Sequence, residues 1–414
     1  MPRDAASRPS AADETPPERA TDRSRSGGFL PTVTVVAGFL AFAGFLASRT
    51  GPDTAFAVVE PIAALLFGVL PALLWLAMAA GLAVPLSRLL PCWLQGTERA
   101  LASLALGVAA AMWIDAVLGR LGLLTLGSGG VAWALVALGA AMLLPTLRRV
   151  TLRMPRLEWR DLAFAPSLST LAIAAIAAPG WLWSSEFGGY DALSYHLQLP
   201  KEWLALGAIE PLAYNVYSHL PSHVEASTLH LMAMLRDPLD AAIPAQCLQA
   251  LFAAATAALL ATTGRRLAGG GTLTGFVAAG VFLGTPWIVV TGSLAYQETT
   301  VCLMLAAGLA IVLRHRFEGD GDDDAWPSAA SIAVALVAGG AVGAKATAIG
   351  FVALPLGLLL LASMPPRRWL PATLLGCGVG ILTLAPWLWH NTIETGQPFF
   401  PLLAKLLGSG AWTD

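Results

Sequence analysis

Charged residues are scarce in this sequence. Only 12% of the 414 residues are Asp, Glu, Lys or Arg, whereas 56% are hydrophobic and the mean hydropathy is +0.68. A soluble domain carries about a quarter of its residues as charged ones, so the composition excludes an ordinary soluble fold. The formal net charge is −2, and the basic residues are scattered among loops rather than gathered on one surface. Nucleic acid is therefore not expected as a partner.

Cysteine is also rare. Four cysteines lie far apart in the chain, at Cys92, Cys247, Cys302 and Cys377. Three of them fall inside apolar segments, and this spacing indicates neither a disulfide framework nor a zinc knuckle. We expect all four to pack as small apolar side chains.

Long apolar segments are abundant. A helix needs about 20 apolar residues to cross the hydrocarbon core of a bilayer. Eleven segments are candidates: 29–48, 55–87, 100–118, 129–147, 163–183, 240–262, 271–291, 296–313, 328–344, 346–363 and 369–389. The sequence therefore predicts an all-α, polytopic transmembrane bundle of about eleven spans.

The distribution of Lys and Arg predicts how the bundle is oriented, because cytoplasmic loops hold the excess of basic residues. With the N-terminus in the cytoplasm, 18 of the 24 Lys and Arg residues lie inside. The other six lie outside: Arg49, Arg120, Lys201, Arg236, Lys345 and Lys405. We expect a multi-pass protein of the cytoplasmic (inner) membrane, with a large outer loop at 184–239.

This topology divides the chain into five parts. The first 28 residues have almost no large apolar side chain, so a disordered cytoplasmic N-terminus is expected. The parts that follow are a four-span membrane module (29–147), a basic cytoplasmic linker (148–162), a membrane core (163–401) that includes the outer loop, and a C-terminal tail (402–414).

The outer loop holds an unusual share of the polar aromatic residues. Four of the six histidines and four of the five tyrosines lie in it: His196, His219, His223, His230, Tyr190, Tyr195, Tyr214 and Tyr217. Gly188 and Gly189 allow a sharp turn as the chain leaves the fifth span, and Asp191 follows at the membrane surface. From Pro200 a short helix should lie in the interface, with Trp203 at headgroup depth.

The loop contains a recognisable pattern. Residues 190–203 read Tyr-Asp-x-x-x-Tyr-His-x-x-x-Pro-Lys-x-Trp, then comes Gly-Ala-Ile, and residues 215–225 read Asn-x-Tyr-Ser-x-x-Pro-x-x-x-Glu. This pattern resembles the first periplasmic loop of bacterial GT-C glycosyltransferases of the family-39 type, the superfamily of protein O-mannosyltransferases and aminoarabinose transferases. Gly-Ala-Lys-Ala-Thr at 343–347 and the segment 386–398 agree with it. The similarity covers roughly 163–401.

The resemblance implies a polyprenyl-phosphate-linked sugar as donor and a hydroxyl of a glycan, lipid or protein as acceptor. In that superfamily an acid at the start of the first outer loop acts as the base, and Asp191 matches its position. A carboxylate can take the acceptor's proton as the oxygen attacks the anomeric carbon. The leaving phosphate must meet cations or strong donors, for which Lys345, His196 and Lys201 are candidates. Lys345 stands alone between apolar segments, where a charge is costly and indicates function.

Other polar and aromatic residues are candidates for contact with the substrates. They are Tyr190, Tyr195, Tyr217, His219, Glu225, Glu298, His390 and Asn391. Tyr195, Tyr217 and Trp203 fit stacking on a sugar and equally fit an interfacial aromatic belt. Glu298 begins the eighth span, where it would hold the acceptor, a metal or Lys345, or would only complement the helix dipole.

A metal site is the weaker interpretation of the loop histidines. His219 and His223 are four residues apart and would share one face of a helix with Glu225 nearby, but Pro221 between them disfavours a helix at that point. No metal ligand is therefore assigned. No cofactor is required by the pattern, and a role for a divalent metal is left open.

Two other kinds of function stay open. A secondary transporter should have broken helices at the bilayer midplane, with matching breaks in two repeated halves, whereas here the unusual residues collect at one membrane face. A non-catalytic scaffold, or a truncated or inactive relative of the glycosyltransferases, is the other alternative, because the chain ends at Asp414 soon after the last outer segment begins.

Overall fold

The computed structural model describes residues 59–149, 163–179, 189–318 and 326–408. Within these ranges the regular structure is helical, without a strand, apart from an isolated bridge between Leu212 and Asn215. The predicted all-α class is thus confirmed. The N-terminal segment 1–28, the candidate span 29–48 and nearly all of the basic linker lie outside the described residues, as do the first residues of the outer loop and the end of the tail.

Fourteen α-helices of four residues or more follow one another along the described residues. They are α1 Val59–Leu86, α2 Gly96–Arg120, α3 Leu126–Arg149, α4 Ala165–Ala175, α5 Gln198–Leu206, α6 His223–Leu235, α7 Ala242–Leu267, α8 Thr272–Gly284, α9 Pro286–Gly292, α10 Glu298–Glu318, α11 Trp326–Ala344, α12 Leu354–Ala362, α13 Trp369–Thr395 and α14 Ala404–Leu407. Tighter or wider turns occur at Ser87–Leu89, Gly189–Asp191, Ala192–His196, Val216–His219, Ile349–Ala353 and Pro366–Arg368.

Five helices are long and apolar enough to cross a membrane, namely α1, α2, α3, α7 and α13. Their outward faces carry large exposed apolar side chains such as Phe67 on α1 and Leu374 on α13, which suits contact with lipid. Several apolar helices can therefore span a bilayer, as a multi-pass protein requires. The larger number of about eleven spans stays a prediction. The apolar parts of α10 to α12 are shorter than a full membrane crossing requires.

The candidate span 271–291 is not one straight helix. It is divided into α8 and α9, which are bent by 65° at Thr285. Pro286 has no backbone N–H to continue the ladder and its ring disfavours a helical residue before it, and Thr285 is accordingly extended at φ −75° and ψ 114°. The pair amounts to a sixth crossing if it is counted as one span.

Helix α2 lies at the centre of the bundle and packs against α1, α6, α7, α10, α11 and α13. Small residues allow such close packing between helices in lipid. Its buried face is rich in alanine, including Ala102, Ala105, Ala109 and Ala116. The leading helices therefore pack directly on the core helices that carry the outer loop.

The two ends of α2 differ in chemistry. At its start the buried Glu98 accepts a hydrogen bond from the Thr263 hydroxyl at 2.9 Å and lies 3.5 Å from Arg266 Nε. At its other end the Gly119 carbonyl accepts a hydrogen bond from the backbone N–H of Ile209 in the outer loop. The basic residues expected in the cytoplasm and the outer-loop residues thus lie at opposite ends of the bundle.

Candidate functional site

The outer loop enters the site through two consecutive helical turns, Gly189–Asp191 and the wider π-turn Ala192–His196. Ala192 is fully buried in a small apolar cluster with Val290, Leu294 and Tyr296, and this packing fixes the position of the turn. Tyr190 points outward, with 57% of its surface exposed. Asp191 is half-buried between these two neighbours.

A cavity of about 130 Å³ lies beside this turn. Polar residues from four parts of the chain line it: Tyr195 and Tyr217 from the loop, Glu225 from α6, Gln297 from just before α10, and Lys345 from just after α11. Leu199, Leu220, Pro221 and Leu402 supply apolar wall. Of the residues predicted from the sequence, the structure brings Tyr195, Tyr217, Glu225 and Lys345 to this one cavity.

Glu225 is held by one of its two oxygens. Its Oε1 lies 2.6 Å from His196 Nδ1 and 2.5 Å from Gln297 Nε2, and all three side chains are buried. Its Oε2 is buried without a hydrogen-bond partner in the part of the chain that the structure describes. A buried acceptor left unpaired costs free energy, so this oxygen is poised to accept a hydrogen bond from a ligand in the cavity.

Lys345 occupies the break between α11 and the π-turn at Ile349–Ala353. Its Nζ lies 2.5 Å from Glu298 Oε1, and the side chains are 39% and 30% exposed, respectively. Glu298 is also the first residue of α10, where a carboxylate complements the helix dipole. Of the roles considered for Glu298, the structure shows the pairing with Lys345.

Asp191 contacts Tyr195, which lines the cavity. Burial raises the pKa of Tyr195, and the negative charges of Asp191, Glu225 and Glu298 raise it further, with Asp191 also acting as a hydrogen-bond partner of the phenol. Tyr195 stacks on Tyr217 with ring centroids 4.3 Å apart. Burial, followed by the charges of Asp191 and Glu298, likewise raises the pKa of Tyr296. Both phenols therefore stay protonated and can donate.

Two loop residues lie away from the cavity. Lys201 is exposed on α5. Trp203, expected at headgroup depth or on a sugar, is instead fully buried, and its indole N–H donates to the Glu210 carbonyl at 2.8 Å. Trp203 therefore presents no surface to a sugar or to lipid, because its ring packs in the main apolar core and its single donor bonds a backbone carbonyl of the loop.

His219, His390 and Asn391 form a second group, next to the cavity. The Asn391 side chain donates to the carbonyls of His219 at 3.0 Å and Phe400 at 2.6 Å, and Trp387 donates to the His219 carbonyl at 2.7 Å. The rings of His219 and His390 are 6.2 Å apart. Asn391 thus ties the 216–219 turn to the segment after α13, close to Leu402 of the cavity wall.

His219 and His223 do not share a helix, as Pro221 predicted. The first ends the turn Val216–His219 and the second begins α6, where its Nε2 lies 3.0 Å from the Thr383 carbonyl. Across the described ranges no group of three His, Cys, Asp or Glu side chains is arranged to hold a metal ion.

Three buried polar features were missed in the sequence. Gln297 directly precedes the candidate Glu298, yet only its contact with Glu225 shows its place in the site. Asp115 accepts from Trp75 Nε1 at 2.9 Å and lies 2.6 Å from His230 Nδ1, with both members of that pair fully buried. The third is Arg120, the last residue of α2. An ionisable residue within an apolar helix was the available signal for Asp115.

No protein-family model, curated protein or solved structure matches this chain. The function is therefore inferred from the residues of the site.

Proposed function

We propose that the chain is a membrane glycosyltransferase that moves a sugar from a polyprenyl-phosphate-linked donor to an acceptor hydroxyl at the outer face of the inner membrane. The observation that carries the proposal is one cavity lined by Tyr195, Glu225 and Lys345. Two further acids contact its lining residues, Asp191 at Tyr195 and Glu298 at Lys345. Such a site suits a donor whose tail lies in lipid while its headgroup reaches water.

The proposed reaction needs a base, a place for a leaving phosphate and donors for hydroxyl-rich substrates. Asp191 takes the proton of the acceptor hydroxyl as that oxygen bonds to the anomeric carbon. The bond from this carbon to the phosphate oxygen breaks, and the phosphate leaves with the electron pair. Lys345 lines the cavity and supplies positive charge where the phosphate charge develops. Attack opposite the leaving group inverts the anomeric configuration.

The sugar's hydroxyl groups need fixed partners. The free oxygen of Glu225 accepts a hydrogen bond from one of them, and the phenol oxygen of Tyr195, whose own O–H donates to Asp191, accepts from another. His196 and Gln297 fix the position of Glu225 through hydrogen bonds to its other oxygen, Oε1. Binding of this kind orients the anomeric carbon toward the base, which is a large part of what an enzyme contributes.

The bend between α8 and α9 favours a second candidate, a secondary transporter, because broken helices are typical of transporter binding sites. In this bend, however, Gly284, Thr285 and Pro286 are exposed, and the Thr285 hydroxyl donates back to the Val281 carbonyl at 2.7 Å. The bend directs no charged group into the bundle. The cavity residues belong to other helices, so transfer is the better-supported function.

The test is sugar transfer by membranes that contain equal amounts of wild-type protein, Asp191→Asn or Asp237→Asn. Asp237 is a matched control, since it is an acid of the same outer loop whose Oδ1 only caps the backbone N–H groups of Leu239 and Asp240. Each membrane receives a panel of polyprenyl-phosphate sugars, and the transferred sugar is measured.

We expect transfer by wild-type protein and Asp237→Asn, and a loss of about 100-fold or more for Asp191→Asn, the usual effect of removing a general base. Equal transfer by all three proteins would remove Asp191 from the mechanism. No transfer from any donor, together with wild-type-dependent solute uptake into vesicles, would replace the proposal with the transporter.

A further inference from the structure

Arg120 ends α2 on the side of the bundle that carries the outer loop. Its Nε and Nη1 are buried and have no hydrogen-bond partner in the described ranges. None of the ion pairs found there involves Arg120. A buried guanidinium is nearly always paired with an acid or bonded to carbonyls, so this arrangement is unusual. The residue as a whole is only half-buried, which leaves a route to it from the surface.

The register between α2 and α13 determines what faces Arg120. Trp113 of α2 donates from Nε1 to the Leu382 carbonyl of α13 at 3.0 Å. Both helices run from the end with the basic residues toward the outer loop. Arg120 follows Trp113 by seven residues, about two turns, and lies on the same face. His390 follows Leu382 by eight residues, so it lies at about the same level along the bundle as Arg120.

His390 also has a buried nitrogen without a partner among the described residues, its Nε2. A neutral imidazole can donate from this nitrogen. The positive charge of Arg120 acts on His390, and also on His219 and His223. Burial is the first cause that lowers the pKa of His219, and the Arg120 charge contributes in the same direction. The guanidinium charge thus acts on imidazoles, and none of the ion pairs among the described residues includes Arg120, while the charge of the exposed Glu394 acts on His219.

We propose that Arg120 and His390 form a binding site for a phosphate-class anion between the outer ends of α2 and α13. Two kinds of unpaired donor, a guanidinium and an imidazole N–H, are directed into one region without a balancing acid. A tetrahedral oxyanion suits both, because its oxygens accept from the guanidinium N–H groups and from the imidazole N–H at the same time. Neither Arg120 nor His390 lines the neighbouring Lys345 cavity, and the inference does not depend on glycosyl transfer.

The anion has two natural sources, free phosphate and the phosphate of a lipid headgroup. Purified full-length protein is therefore heated in neutral detergent with increasing inorganic phosphate at constant ionic strength. In a second arm it is heated in phosphatidylcholine nanodiscs with or without phosphatidic acid. The variants are Arg120→Gln, Arg120→Lys and the control Arg236→Gln, which removes an exposed arginine of the same face that donates to the Ser128 carbonyl at 2.8 Å.

A ligand that binds only the folded state raises Tm. We expect wild-type protein and Arg236→Gln to gain about 2 °C or more from at least one probe, Arg120→Lys to gain part of it, and Arg120→Gln to gain nothing. A response to phosphatidic acid alone identifies a lipid headgroup, and a response to inorganic phosphate identifies a small anion.

Two results would overturn the proposal. One is an equal rise in Tm for wild-type protein and Arg120→Gln, which would place the anion elsewhere. The other is no rise with either probe, which would mean that water satisfies the buried nitrogens. If Arg120→Gln does not fold, His390→Phe takes its place, since it removes the imidazole donor and keeps the guanidinium, and an undiminished response in that variant would equally overturn the site.

Discussion

The ammonium group of Lys345 lies 2.5 Å from the carboxylate of Glu298, across the break that follows α11. The two residues are 47 positions apart, and each stands at a helix end, one just after α11 and the other at the start of α10. Lys345 also lines the cavity. The pair therefore keeps a positive charge beside the cavity while limiting its freedom to turn toward lipid.

Replacing Lys345 should affect activity far more than stability. An ion pair with both members about a third exposed contributes no more than about 1 kcal/mol, so Lys345→Met should shift Tm little. Loss of a group that meets the leaving phosphate should lower transfer about 100-fold. Transfer and Tm are measured together, with the exposed Lys405→Met as the control. A large fall in Tm, or unchanged transfer, would contradict this role.

Two substitutions of Glu225 should behave differently. Glu225→Gln keeps a carbonyl oxygen for His196 and Gln297 but places an amide donor where the free oxygen was, so the protein should fold and lose transfer. Glu225→Ala leaves both buried donors without an acceptor, at a cost of about 1–3 kcal/mol for each. Thermal unfolding and transfer of both variants are compared. Wild-type transfer by Glu225→Gln would show that the free oxygen does not contact substrate.

The pair of Asp115 and His230 should be strongly coupled. Each is fully buried, and removal of one partner of a buried pair costs about 3–5 kcal/mol. Because the second substitution then removes a group already without its partner, the double variant Asp115→Ala/His230→Ala should cost about 1–3 kcal/mol less than the sum of the two single variants. Denaturant unfolding of the four proteins measures the coupling. Additive effects would mean that the 2.6 Å contact contributes nothing.

His223 should make the protein sensitive to acid. Burial is the main cause that lowers its pKa from 6.5 to about 4, with the charge of Arg120 acting in the same direction and the hydrogen bond to the Thr383 carbonyl acting against it. The unfolded chain takes up this proton near pH 6.5 and the folded chain only near pH 4. The contribution to stability is thus intact above pH 6.5 and is lost as the pH falls to 4, by about 3 kcal/mol in total.

The measurement is Tm against pH for wild-type protein and His223→Gln, whose side chain still donates to the Thr383 carbonyl but does not titrate. Other acid-sensitive groups act equally in both proteins, so the difference isolates His223. Its Tm advantage over the variant should shrink between pH 6.5 and 4. Parallel curves would show that His223 is accessible to protons in the folded state.

Gly343 should be needed for the position of Lys345. A Cβ added there would lie 2.6 Å from the His223 ring, whereas one added at Gly357 of α12 meets nothing within 4 Å. Gly343→Ala should therefore push α11 away from α6, lower Tm and reduce transfer, while Gly357→Ala should be neutral or slightly stabilising because alanine favours helix. Tm and transfer of the two variants are the readouts. Equal Tm and equal transfer for the two variants would mean that α11 can move to accommodate the added methyl group without loss.

The helices could be predicted from the sequence because the length of an apolar segment follows directly from the thickness of the bilayer. Residues 100–118 and 369–389 were expected to be helical, and α2 and α13 contain them. The bend at Thr285 was missed, although Pro286 is visible, because average hydropathy over a long segment takes no account of one absent N–H.

The site could be predicted only in part. The concentration of tyrosine and histidine in one loop indicated where polar chemistry lies, and four of the candidates line the cavity. Lys345 was singled out because it stands alone between apolar segments, and it lines the cavity, whereas Lys201 of the polar loop does not. The hydrogen-bond partners of Glu225, Asp115 and Trp203 are not their neighbours in the sequence. A local sequence pattern therefore does not predict them.

Helix α6 connects the cavity to the leading helices. Near its start Glu225 forms part of the cavity wall, and one and a half turns later His230 is bound to Asp115 of α2 and lies 3.1 Å from the Ala132 carbonyl of α3. A shortened protein that begins at residue 163 would lack Asp115 and Ala132 and leave His230 without both of these partners. Anyone who wishes to express the core by itself would have to supply the leading helices as a second polypeptide and let the two halves reassemble in the bilayer.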